Sequence, residues 1–322
     1  MTGRERMLKT LRFEEPDRPP HFEIWFQLTR EAFGVEHPAQ VGNATGADKE
    51  RLLEQGMDVY ERIVRRFGWD ALLVLEPPQD ADGVAAAHRR FGRDLLVGGI
   101  VWEGIWSIDI IKDWDRFSED LFDHPEKVHE GAERLYKVAE DRVNRMTGAG
   151  ADFLMFASDV GFNGGPFLSP PQFKEFVQPY LARLCALTRQ RGTIPMMHSD
   201  GMVLPVLDQI VEAGPAVLQS IDPMAGLDIA EVKRLTYGKM ALMGNVRCDY
   251  LQHGTPQQIR ESAEYCLEHG SPGGGYVFSS SNTIFEGVPL ANYEYMVQVY
   301  REHCNNLRTH ECEDRTNKVM NP

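Results

Sequence analysis

Apolar residues along this chain gather into eight short runs, at 22–26, 71–76, 95–102, 153–157, 194–198, 216–221, 240–243 and 276–279. Each has the length of a strand, and most are nearly continuous in Val, Ile, Leu, Phe or Met, the pattern of strands covered on both faces. Between them lie segments whose apolar positions return every three to four residues, among them 125–147, 170–191, 202–212 and 256–269. That is the period of a helix with one buried face. The joints agree with it: Ser169-Pro170 and Thr255-Pro256 each set a capping hydroxyl before a proline suited to the first helical turn. Pro77-Pro78 ends the second run.

Strands that alternate with helices require a parallel sheet, because each crossover must return the chain to the same edge. Eight such units predict an α/β fold, a single-domain (β/α)8 TIM barrel over residues 1–308. The polar, aperiodic segment 309–322 reads as a C-terminal tail. A doubly wound open sheet would carry a Gly-x-Gly-x-x-Gly turn after an early strand, and the chain has none there. Met196, Met197, Met224 and Met243 read as barrel filling.

Composition narrows the function without naming it. The chain is 42% hydrophobic and 25% charged, with a formal net charge of −14 and no clustered basic patch, which argues against nucleic acid as a partner. No run approaches the ~20 apolar residues of a membrane span, and charged Arg4, Glu5 and Arg6 follow Met1 where a signal region would be apolar. A cytoplasmic protein with no membrane association is expected. Five cysteines without Cys-x-x-Cys spacing fit reduced thiols.

In a barrel the strand ends meet at one mouth, and the chemistry sits there. Those ends supply Glu23 and Trp25, Glu76, Trp102 and Glu103, Asp159, His198 and Asp200, Gln219 and Asp222, Asn245 and Arg247, and Ser279 to Asn282. His198 and Asp200, two apart on an extended segment, share a face. Such a pair can ligate a metal, act as an acid/base couple, or simply close the loop with Gly201. Asp159 either meets a substrate or binds amides of the glycine-rich loop that follows it. Arg247 is the one obvious arginine on a strand-end loop.

Nearly the whole chain resembles the uroporphyrinogen decarboxylase-like superfamily. The likeness is carried in order by Arg4-Glu5-Arg6-Met7 through Pro16-Asp17-Arg18-Pro19-Pro20, by Ser169-Pro170 through Pro179-Tyr180, and by His198-Ser199-Asp200-Gly201. Ala241-Leu242-Met243-Gly244-Asn245-Val246, Gly254-Thr255-Pro256 and Pro272-Gly273-Gly274-Gly275-Tyr276-Val277 complete it. The resemblance implies a (β/α)8 barrel and pairing as a homodimer. It also implies one of two reactions. True decarboxylases carry an arginine-rich motif at the first strand end for the tetrapyrrole's acid side chains. Here His21-Phe22-Glu23-Ile24-Trp25-Phe26-Gln27 stands there, and a polyacidic substrate would meet Glu23 instead of a guanidinium fork. Cobalamin-dependent methyltransferases form the other branch. Their coenzyme M members hold zinc through His-x-Cys after strand five and a cysteine after strand eight. This chain keeps His198, but places Asp200 at the first cysteine position and Ser279 to Ser281 in the region of the second.

The expectation is therefore a methyltransferase that moves a methyl group from a small methoxylated or methylated substrate to the corrinoid of a partner protein. Its catalytic group would be His198, Asp200 and Asp159. A zinc ion would sit on His198, Asp200 and Glu103, and cobalamin would arrive with the corrinoid protein. Trp25, Glu76, Trp102, Gln219, Asn245 and Asn282 would contact the substrate. The alternatives are a decarboxylase acting on a tetrapyrrole or another carboxylic acid, and a non-catalytic corrinoid- or porphyrin-binding protein.

Overall fold

The computed structural model describes residues 1–39, 41–76 and 80–320, with side chains up to residue 307. Pro77 and Pro78, and the side chains of the expected tail, lie outside the described residues. The closing helix spans Leu290–Met320, so the tail's backbone is helical up to Met320. No helix among the described residues is long and apolar enough to cross a membrane.

Seven parallel strands form one sheet: β1 (Ala71–Val74), β2 (Leu96–Val101), β3 (Phe153–Ala157), β6 (Ile194–Ser199), β7 (Val217–Ser220), β8 (Ala241–Val246) and β9 (Tyr276–Ser280). A two-stranded hairpin, β4 (Gly161–Phe162) with β5 (Gly165–Pro166), leaves the end of β3 and was not signalled by alternation. The sheet order follows the chain order from β1 to β9 without reversal. Right-handed crossovers in one direction put every connecting helix on the same side, so the sheet must curl around its other face. The predicted strands over 153–157 and 194–198 appear almost residue for residue. Met196, Met197 and Met243 fill the interior, whereas Met224 lies exposed in the turn after β7.

Gly98 and Gly99, which interrupt the apolar pattern of β2, do not interrupt the strand. A Cβ at Gly98 would stand 2.2 Å from the Phe153 ring, so the missing side chain is what lets that ring lie across β2.

The run at 22–26, expected as the first strand, differs. It makes isolated parallel bridges, His21 with Phe278 and Phe26 with Ile284, and no continuous ladder. The backbone still touches both sheet edges: Phe278 N donates to Pro20 O at 2.8 Å, and Asp70 N donates to His21 O at 2.8 Å. Two local causes prevent a regular strand. Pro19 and Pro20 bring no N–H. The Ser280 amide of β9 donates to the Glu23 carboxylate at 3.0 Å, and the Ser279 and Ser280 hydroxyls join it at 2.7 and 2.6 Å. Glu23 is therefore fully buried. Burial, opposed by those hydrogen bonds, pushes its carboxyl up to about 7.

The same segment is pinned beside β1 by a buried ion cluster. Asp70, just ahead of β1, accepts from Arg6 Nη1 at 2.6 Å, from Arg18 Nη1 and Nη2 at 2.7 and 2.9 Å, and from His21 N at 2.9 Å. Arg6 in turn forks Asp17. The amino-terminal helix Gly3–Leu11 is thereby tied to the bottom of the sheet.

Removing one member of a buried charge cluster leaves the others uncompensated. Asp70→Ala should lose about 3–5 kcal/mol of unfolding free energy in urea titration, and a loss under about 1 kcal/mol would contradict this role. Glu23 sets a pH effect. Between its ordinary value and about 7 the folded chain keeps a proton that the unfolded chain releases, so stability falls as pH rises through that window. Urea midpoints from pH 5 to 8 should show Glu23→Gln gaining about 3 kcal/mol relative to the parent at the upper end. Parallel pH profiles would count against it.

Candidate active site

Parallel register assembles the site. Ala157 of β3 lies beside His198 of β6, and His198 lies beside Gln219 of β7. Neighbours in register on parallel strands point to the same face, so the ends of three strands bring Asp159, His198 and Gln219 together. Gly201 then turns the chain sharply, at φ +81. A Cβ there would fall 2.1 Å from the Gly161 carbonyl oxygen, and Met202 N donates to Phe162 O at 2.9 Å. The hairpin thus packs backbone to backbone against the loop after His198, which only glycine permits.

Within this frame His198 Nε2 lies 3.5 Å from Asp159 Oδ1 and 3.9 Å from Asp200 Oδ1. One donor atom from each of the three residues lies within 4.8 Å of the others, the spacing of a site able to hold a metal ion. Asp159 Oδ1 also accepts from the Asp200 amide at 2.8 Å, so the backbone group it binds lies in the loop after His198. Asp200 accepts from Ser220 Oγ at 2.7 Å and from the Asn282 amide. Burial raises the Asp200 carboxyl above its ordinary value; Asp159 and Asp222 add to this, and His198 and Ser220 oppose it. His198 Nδ1 meets Gln219 Oε1. Asp222 binds the Gly201 amide at 3.1 Å and caps the turn through Met224 N at 2.9 Å.

Ser220 is the residue that sequence patterning misses. Alternation places its side chain on the opposite face from Gln219. Its backbone takes φ +96, followed by Ile221 at φ +46, and the left-handed pair breaks the alternation and delivers the hydroxyl to Asp200. Such backbone strain is held only where the surroundings fix it.

Gln219 and Asn282 therefore join the triad, and other expected residues do not. Asn245 is buried, its Nδ2 donating to Ile221 O at 2.8 Å and its Oδ1 accepting from the Cys266 thiol at 3.2 Å. Glu103 lies outside the metal-competent group and faces Arg142 Nε at 3.9 Å. Trp102, 40% exposed, stands just past the end of β2. Trp25 and Glu76 form a pair of their own at the end of β1, Trp25 Nε1 donating to Glu76 Oε1 at 2.7 Å. Burial raises the Glu76 carboxyl against that bond. Glu23, expected to confront a substrate, is turned away into Ser279 and Ser280. Arg247 forks Asp249 at 3.0 and 2.7 Å. Burial pushes the nearby Cys248 thiol up to about 11, so it contributes no thiolate near neutral pH.

The chain matches known proteins in sequence and in fold. A uroporphyrinogen decarboxylase of Pseudoalteromonas translucida (strain TAC 125) is 28% identical over 199 residues, 59% of this chain and 52% of the relative. The chain thus spans about half the length of that curated relative. A second uroporphyrinogen decarboxylase, from Anaeromyxobacter dehalogenans (strain 2CP-C), is 26% identical over 252 residues, 75% of this chain and 70% of the relative. Among solved structures, a methyltransferase from Methanosarcina mazei shares the fold with a TM-score of 0.73 and 18% identity, covering 94% of this chain and 99% of that one. The family model described as uroporphyrinogen decarboxylase (URO-D) matches residues 107–303, which include Asp159, His198, Asp200, Gln219, Ser220 and Asn282. This chain belongs to that enzyme family.

Proposed function

We propose that the chain is a methyltransferase that takes a methyl group from a small methoxylated or methylated substrate and passes it to the corrinoid of a partner protein. One observation carries the reading: a histidine and two carboxylates converge at the strand ends, and among the described residues no arginine or lysine forms an ion pair with either carboxylate. The fold shared with a methyltransferase supports it. We also infer that the segment at 20–27, bonded to both sheet edges, serves as the eighth stave of a closed barrel with this cluster at its mouth.

In such a transfer the corrinoid of the partner protein would supply the electron pair that takes up the methyl group. The C–O bond breaks, and its electron pair stays on the substrate oxygen, which then needs positive charge beside it. Asp159 and Asp200 would hold that charge, and His198 Nε2 is the ring atom turned toward both carboxylates. Where zinc is bound, His198 Nε2 and one oxygen each of Asp159 and Asp200 are its donors, a hard ligand set in which the ion supplies Lewis-acid polarisation of the substrate oxygen. Ser220 and Asn282 hold Asp200 in position.

Decarboxylation is the second reading, favoured by the names of the two curated relatives. A tetrapyrrole with many acid groups requires guanidinium forks. Here Arg18 is committed to Asp70, Arg30 to Glu36 and Arg247 to Asp249.

The purified chain, given reduced cobalamin and a panel of methoxylated aromatics and methylated amines, should form methylcobalamin, followed by its absorbance. His198→Ala and Asp200→Ala should slow this about 100-fold or more. Carbon dioxide released from a porphyrinogen, with no methylcobalamin from any donor, would overturn the reading.

A further inference from the structure

We infer that Gln219 is a positioning residue that fixes the tautomer of His198, holding the proton on Nδ1 so that Nε2 faces the carboxylates. This rests on the cation-holding reading of the triad given above. It assigns Gln219 a role other than the substrate contact expected from its place at a strand end.

The inference follows from three groups that can each act in only one direction. Ser281 N donates to Val246 O at 2.9 Å, which anchors the Ser281 peptide beside β8. The Ser281 carbonyl oxygen can only accept, and the Gln219 side chain reaches it at 3.4 Å. The group turned toward that carbonyl must therefore be the amide NH2, so Gln219 presents its oxygen to the imidazole. An amide oxygen cannot donate, so His198 Nδ1 must carry the hydrogen. Gln219 is fully buried, which removes the option of turning its amide to water. A carbonyl thus sets an amide, and the amide sets a ring.

The consequence falls at Nε2. In the neutral ring this atom holds a lone pair, and it lies 3.5 Å from Asp159 Oδ1 and 3.9 Å from Asp200 Oδ1. Three acceptors facing one another repel unless a proton, on the ring or on a carboxyl, or a metal ion sits among them. Histidines that ligate metals commonly have the far ring nitrogen hydrogen-bonded in this way, and loss of that partner weakens metal binding 10- to 100-fold. With Nδ1 occupied, His198 offers its cation-facing atom without first paying for reorientation of the ring.

The test reads the ring itself. Imidazole 15N shifts of His198 in the chelator-treated parent chain should show a protonated, pyrrole-like Nδ1, and Gln219→Glu, which keeps an acceptor in place, should keep it so. Gln219→Leu should move the ring toward the Nε2–H form and weaken zinc binding about 10- to 100-fold in competition with a chelating dye. A pyridine-like Nδ1 in the parent would overturn the inference, and this needs no variant to fold. An unchanged tautomer and affinity in a folded Gln219→Leu would overturn it equally. If the parent binds no zinc, the metal reading of the site fails while the ring shifts still decide the role of Gln219.

Discussion

Two carboxylates and an imidazole nitrogen that face one another repel unless a proton or a metal ion sits between them. His198 Nε2, Asp159 and Asp200 are placed in this way, and most of the local structure serves to keep them there. Ser220 and Asn282 donate to Asp200, the Asp200 amide donates to Asp159, and Gln219 takes the remaining ring nitrogen of His198. No single contact in this set is strong on the scale of folding. Their combined effect is to hold one donor atom from each of the three residues within 4.8 Å of the others.

The fold meets this demand through register and close approach. Neighbouring parallel strands place Ala157, His198 and Gln219 side by side, so alternation on each strand aims three chemically different side chains at one point. Gly201 then allows the hairpin to lie on the loop at backbone distance, and the left-handed Ser220 adds a donor where a regular strand would have sent it elsewhere. At the other end of the sheet the Arg6–Asp70–Arg18 cluster fixes the segment that touches both β1 and β9. The ion cluster secures the curl of the sheet, and the curl brings the strand ends together.

Much of this was legible in the chain because burial writes a pattern. The runs at 153–157 and 194–198 are apolar on both faces and became β3 and β6, and His198-x-Asp200 followed from the same periodicity. What the pattern does not encode is where a polar residue spends its hydrogen bonds. Glu23 sits in a strand-like run, yet its carboxylate takes the Ser280 amide and removes both the regular ladder and its own access to a substrate. Asn245 ends a strand but turns into the interior toward Ile221 and Cys266. Glu103 stands near the mouth in sequence and is drawn aside toward Arg142. Ser220 could not be found by alternation, since its position depends on a backbone angle that no residue type announces.

A cation held among His198, Asp159 and Asp200, as proposed, would have nitrogen and oxygen donors, and the ligand shell of the loaded protein tests this most directly. X-ray absorption of the zinc-loaded chain should show one ion bound by nitrogen and oxygen at about 2.0–2.2 Å, with the outer-shell scattering of one imidazole. Sulfur at about 2.3 Å, no zinc retained by the intact chain, or zinc retained equally by His198→Ala, would contradict the account.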